Sequence, residues 1–273
     1  MRTKTILLLL TATALMVCCG SRSKKSENES RDSALVQETA KPAAENQEFD
    51  LEKLNAAVAK YDKVGVFMNG LASVELNGEQ RYIDKSGNEV IPDDPQNPYG
   101  LQLEEPNTTS REDGLTPAEQ NGKWGYTDEE GNEVIPFIYD YADSFYGGFA
   151  KVQTNYRTGL IDSEGNKVAE CKYDAIDGTF DRYTLLRVYR NNKYGFIDKS
   201  GREVIPTIYE STLGVEFGDG LMGAKLNGKW GYIDQKGNVI IAFQYSDDQE
   251  PSPFGEGLAP VKINGKWQFI QKP

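Results

Sequence analysis

From about Tyr61 to the C-terminus, short runs of alternating apolar and polar residues are separated by turn signals. In GLAPVKI (from Gly257), Ala259, Val261 and Ile263 share one face of an extended chain and Leu258 takes the other. In KWGYID (from Lys229), Trp230 and Tyr232 lie opposite Gly231 and Ile233. The run NVIIA (from Asn238) follows as a third short strand. Asn-Gly joins the first strand to the second, a pair suited to two-residue hairpins because both residues tolerate positive φ. Asp-x-x-Gly joins the second to the third, with Asp capping the turn and Gly taking the left-handed position. Proline closes the third strand in several copies and is expected to end it, having no N–H for a ladder. Both faces of each unit carry apolar residues, so isolated units cannot bury them and the units must stack.

The pattern recurs at a fixed period. The aspartate that opens the second turn falls at Asp84, Asp128, Asp162, Asp198 and Asp234, with Gln271 in the sixth place. The spacings are 44, 34, 36, 36 and 37 residues. The long first spacing contains an insert, residues 93–113. A third phrase follows most copies, a tyrosine often followed by an acid: Tyr139-Asp140, Tyr173-Asp174, Tyr209-Glu210 and Tyr245. The expected fold is all-β, with about six tandem three-stranded antiparallel units.

NGKWGYTDEEGNEVIP (from Asn121) and NGKWGYIDQKGNVII (from Asn227) resemble WG repeats, also called KWG repeats. The resemblance covers roughly residues 61–273 and departs at Thr158-Gly159, at Gln268 in place of glycine, and at the insert. It implies an all-β array. It implies no reaction and supplies no catalytic residues.

Six units suit a propeller-like closed array, which removes exposed edges, and this is expected ahead of an open β-solenoid. The last unit lacks its third strand. AAVAKYD (from Ala56) looks like VAECKYD (from Val168), so residues 51–60 are either a displaced strand completing the last unit or a short helix. Asp50 as N-cap and LEKLNAAVAK as helix formers favour the helix locally.

The first 50 residues read differently. MRTKTILLLLTATALMVCCGS has a basic start, an apolar run too short to span a bilayer comfortably, then two cysteines. This is an export signal, and the cysteines resemble the lipidation site of a bacterial lipoprotein signal. Cys19, preceded by the small Cys18, is the expected lipidated residue, with Cys18 as the alternative. Residues 1–19 are therefore assigned to the signal. Residues 20–50, rich in Ser, Glu, Lys, Ala and Gln, read as a disordered tether with a reach of about 30 Å. The implied place is the cell envelope, anchored to a bacterial membrane.

Composition then narrows the function. The chain of 273 residues carries 42 acidic and 30 basic residues, a formal charge of −12, which argues against nucleic acid as a partner. With no histidine, the commonest general base and zinc ligand are missing. Beyond the signal region Cys171 is the one cysteine, so no internal disulfide is available.

Neither a cofactor nor a metal is expected. The repeated aspartates are assigned to turn capping and not to calcium, because Asp-x-x-Gly supplies too few alternating oxygens. Trp124, Tyr194, Trp230 and Trp267 are assigned to the core. Tyr139, Tyr173, Tyr209 and Tyr245, at strand–loop junctions, are candidate partner contacts as half-exposed rings. Within the insert, Tyr99, Glu104 and Glu105 are further candidates, since it breaks an otherwise regular array. Paired acids such as Asp247 and Glu250 do not by their spacing alone support a hydrolase. The expected function is a non-enzymatic interaction module for an envelope protein, with glycan or cell-wall binding as the alternative.

Overall fold

Each Asp-x-x-Gly turn is closed by its own aspartate. In the fifth copy, Asp234 Oδ1 accepts from the backbone N–H of Lys236 and Asn238 at 2.8 Å, and its Oδ2 accepts from Asn238 Nδ2. Asp84, Asp128, Asp162 and Asp198 make matching sets with the residues that follow them. The Asn that opens each first-to-second-strand hairpin has positive φ (Asn77, Asn121, Asn155, Asn191, Asn227 and Asn264). A second acid holds four of these hairpins from outside. Asp62, Asp140 and Asp174 accept from the N–H of Asn77, Asn155 and Asn191, and Glu210 from that of Gly228. These are the acids that follow the phrase tyrosines, which gives that phrase a local purpose.

The computed structural model describes residues 49–101, 114–249 and 251–273. Helix α1 spans Leu51–Val58. Unit 1 is β1 (Lys63–Met68), β2 (Leu71–Leu76), β3 (Glu79–Ile83) and β4 (Glu89–Val90). Unit 2 is β5 (Thr116–Gln120), β6 (Lys123–Thr127) and β7 (Glu133–Tyr139). Unit 3 is β8 (Tyr141–Ala142), β9 (Phe149–Thr154), β10 (Arg157–Asp162) and β11 (Lys167–Tyr173). Unit 4 is β12 (Ala175–Asp177), β13 (Leu186–Arg190), β14 (Lys193–Ile197) and β15 (Glu203–Tyr209). Unit 5 is β16 (Ser211–Thr212), β17 (Leu221–Leu226), β18 (Lys229–Asp234) and β19 (Val239–Tyr245); unit 6 is β20 (Leu258–Ile263) and β21 (Lys266–Gln271). Each sheet is an antiparallel meander in chain order.

Two sequence expectations need correcting. Units 1, 3, 4 and 5 are four-stranded, because residues following the tyrosine add a strand to the next unit's sheet, six residues long in unit 1 and two or three in units 3, 4 and 5. The third long strand also does not stop at proline: β7 and β15 run through Pro136 and Pro206 to Tyr139 and Tyr209. Both lie at the edge of their sheets, where proline is tolerated. The register slips there, with Tyr126 opposite Ile135 but Trp124 opposite Tyr139. Strand β7 therefore bulges over the intervening Gly125.

That bulge explains the glycine of the Trp-Gly pair. A Cβ on Gly125 would lie 2.5 Å from Ile135 O, one on Gly195 2.6 Å from Ile205 O, and one on Gly231 2.7 Å from Ile241 O. No side chain fits so close to backbone. Among the described residues, the two units that lack this glycine have no third strand long enough to cross it. Arg81 stands in unit 1, where β4 is only two residues long, and Gln268 in unit 6, whose sheet among the described residues has two strands.

Five apolar clusters lie between units 2 and 3, 3 and 4, 4 and 5, 5 and 6, and 6 and 1. The last unit thus packs on the first. Phe67 and Phe269 meet with centroids 5.0 Å apart, and Trp267 Nε1 donates to Asp62 O at 2.9 Å. Helix α1 completes this junction. Asp50 caps it, accepting from Lys53 N–H at 3.0 Å. Asn55 pairs with the edge of β21 as a strand residue does: its Oδ1 accepts from Phe269 N–H at 2.6 Å and its Nδ2 donates to Phe269 O at 3.2 Å. Gly87 of unit 1 lies against Leu54 and Ala57, just as Gly165 and Gly237 lie against Ile135 and Ile205 of the preceding units. Residues 51–58 therefore hold the place of the missing strand, but as a helix and not as the displaced strand.

The junction of units 1 and 2 is built differently. No apolar cluster bridges it among the described residues, and Ile91, the counterpart of buried Ile135 and Ile205, is 89% exposed. Thr127 stands in unit 2 where units 1, 3, 4 and 5 bury Ile83, Ile161, Ile197 and Ile233. The insert begins at this seam.

Candidate functional site

The phrase tyrosines are not half-exposed contacts. Tyr139, Tyr173, Tyr209 and Tyr245 are all buried, each within an apolar cluster shared with the next unit. Tyr173 donates its hydroxyl to Glu203 at 3.0 Å, and burial followed by the neighbouring Glu203 carboxylate pushes its pKa well up. The expectation of a surface row fails because the covering residues belong to the adjacent unit. Trp267 is buried, while Trp124, Tyr194 and Trp230 are half-buried against the clusters. Trp230 also donates its indole N–H to Asp247 at 2.8 Å. Lys225 and then this indole hold the Asp247 carboxyl below its ordinary range.

Tyr99 packs edge-on against Tyr82, with centroids 5.9 Å apart, and its carbonyl accepts from Asn69 Nδ2. It thereby occupies the slot on unit 1 that a following unit's aromatic fills elsewhere, as Phe145 does against Tyr126. Glu104 and Glu105, with Cys18 and Cys19, lie outside the described residues.

What the sequence did not single out is Tyr156. At the tip of the β9–β10 hairpin it stands where units 1, 2, 5 and 6 have the glycine of Asn-Gly. Its φ is +60°, and its side chain is 95% exposed. A bulky residue held left-handed costs about 1–2 kcal/mol, and such strain concentrates at functional positions. The signal was present in the sequence as Asn-Tyr in place of Asn-Gly.

The residues flanking Tyr156 line a groove of about 530 Å³ between units 2 and 3. Its walls include exposed Ile138, Arg157, Lys167, Glu170 and the half-buried free thiol of Cys171. The groove has room because Thr154 stands where units 1, 5 and 6 place Leu76, Leu226 and Ile263. Arg157 pairs with Asp174, and Lys167 with Glu170, so the rim is charged but locally balanced.

A second feature is the open edge of β19. Its counterparts are protected by Pro136, by Pro206, or by Lys167, Glu170 and Lys172 in β11; β19 reads VIIAFQY, with neither proline nor charge. Among the described residues no group of three or more metal-ligating side chains comes together.

No curated protein sequence matches the chain. Among solved structures it is similar to a streptogramin B lyase at 14% identity and TM-score 0.27, covering 79% of this chain and 84% of that one. A virginiamycin B lyase from Staphylococcus aureus matches at 16% identity and TM-score 0.26, covering 77% and 83%. BamB from Moraxella catarrhalis matches at 11% identity and TM-score 0.25, covering 76% and 71%. At such scores these likenesses bear on neither activity nor partner. The sequence family is another matter. A family model for the WG-containing repeat matches residues 59–79, 124–157, 159–194, 194–230 and 230–267, the same periods that the turns and stacked sheets define. The chain belongs to the WG-repeat family.

Proposed function

We propose that this protein is an exported, lipid-anchored interaction module without enzymatic activity, and that it engages an envelope protein at the groove between units 2 and 3. The observation that carries this is Tyr156, a ring held in a strained backbone and almost fully exposed at the rim of a groove that half the units close with a larger side chain. Aromatic anchors beside a pocket are what protein interfaces use most effectively. A non-enzymatic role is supported by the absence of histidine and by the use of the repeated aspartates as turn caps. Anchoring rests on the N-terminal residues 1–19 read as a signal ending at Cys19.

The test is capture from a solubilised envelope fraction with wild type and Tyr156→Gly side by side. The expected result is a partner held by the wild type and lost with the variant. Equal recovery by both would refute the groove as the site. The same exposed ring also suits stacking on a sugar, the second reading. In that case soluble wall fragments perturb the Tyr156 ring signals in NMR spectra and no protein is captured.

A further inference from the structure

The aromatic positions of the six units expose one irregularity. At four junctions the second long strand presents a ring that meets a phenylalanine of the next unit. The pairs are Tyr126 with Phe145 (4.8 Å), Phe196 with Phe217 (5.1 Å), Tyr232 with Phe254 (4.9 Å) and Phe269 with Phe67 (5.0 Å). Where the ring is tyrosine, its hydroxyl donates to a loop carbonyl two residues before that phenylalanine: Tyr126 to Asp143 O and Tyr232 to Ser252 O, both at 2.7 Å. Unit 3 breaks the rule with Leu160. Part of the lost volume returns through Phe149, which replaces the leucine of the other units and packs 4.9 Å from Phe180.

The replacement is incomplete. A cavity of about 100 Å³ remains between units 3 and 4. Leu160, Phe149, Phe180 and Leu186 form its apolar wall, and Asp143, Ser144, Lys151 and Thr179 supply polar groups. Gly178, the counterpart of the carbonyl-bearing Asp143 and Ser252, also lines it. The cavity's volume is about two thirds of the 150 Å³ of a closed apolar cavity that takes benzene, but it opens to solvent, so a single ring enters with its substituted edge left at the mouth. We propose that this cavity is a binding site for small monocyclic phenols, the ring taking the slot that Tyr126 and Tyr232 fill in their own junctions. The hydroxyl donates to the Gly178 carbonyl, and a further polar substituent is met at the mouth by Asp143 or Lys151. The site is separate from the groove at Tyr156 and does not depend on what binds there.

Phenol itself is the probe, followed by saturation-transfer NMR and by the thermal midpoint of residues 49–273 within the full chain. A ligand of seven heavy atoms is expected to bind with a dissociation constant on the order of 1 mM. The double variant Phe149→Leu/Leu160→Tyr restores the pattern of unit 2 and fills the slot from within. It is expected to bind phenol at least tenfold more weakly and to melt higher than wild type. Should it misfold, Leu160→Phe fills the same space with a smaller change and carries the same expectation. No saturable binding to the wild type at ten times the expected constant, or equal binding by a folded slot-filling variant, would overturn the proposal.

Discussion

Replacing Tyr156 with glycine is expected to make the protein more stable. In the folded chain the residue has φ of +60° and a ring 95% exposed, so removal relieves strain and gives up almost no burial. The left-handed conformation costs a bulky residue about 1–2 kcal/mol. Glycine returns about 0.4–1 kcal/mol of that through the greater freedom of its unfolded chain. The net gain is about 0.5–1 kcal/mol. For a domain of this size that raises the thermal midpoint by about 1–4 °C. The turn itself should survive, since Asn155 keeps its N–H bond to Asp140. Scanning calorimetry of wild type and variant under identical conditions measures the shift. An unchanged or lower midpoint would refute the reasoning, because it would mean that the ring contributes contacts to its own fold and is not held out for another molecule.

Gly195→Ala places a Cβ 2.6 Å from Ile205 O and should cost about 1–3 kcal/mol in urea unfolding, whereas Gln268→Gly, at the equivalent position without a crossing strand, should change stability by less than about 1 kcal/mol. Equal effects would show that the bulge is not what demands glycine. Acid should weaken the fold. Asn132 and Asn238 side chains hold the Asp128 and Asp234 carboxyls below their ordinary value of 3.8. Groups depressed in the folded state stabilise it fully above that value and lose this as pH falls through their folded pKa. The thermal midpoint should therefore be level between about pH 5 and 7 and fall below about pH 4. A midpoint that rises on acidification would contradict the capping role.

The parts of the fold legible in the sequence are those whose partners are near in the chain. Asp234 bonds within four residues and Asn227 turns in place, so both could be read directly. The Asp50 cap and the helix after it are equally local. What could not be read depends on a neighbour. Pro136 reads as a strand end, but its effect depends on which side of β7 carries the ladder. Tyr139 and its counterparts look exposed within one period, and only the next unit buries them. The glycine of Trp-Gly could be seen to recur, while its reason, a crossing strand that Arg81 and Gln268 do without, required the register. At the candidate site, the Asn-Tyr substitution was visible, but its exposure and the adjoining groove were not.

The pairing of Asn55 with Phe269, 214 residues apart, bears on how the chain is made. Units 2 to 5 each find an apolar neighbour in the next stretch to be synthesised. Unit 1 does not: its cluster needs Leu258, Trp267 and Phe269. Unit 1 is thus translated before units 2 to 6 and finished only after them, when β20 and β21 arrive. Loop closure over so long a span is slow compared with pairing of adjacent hairpins. Chains that end before β20 leave the face of Phe67 and Val74 uncovered, so a premature stop at the far end is felt first at the beginning.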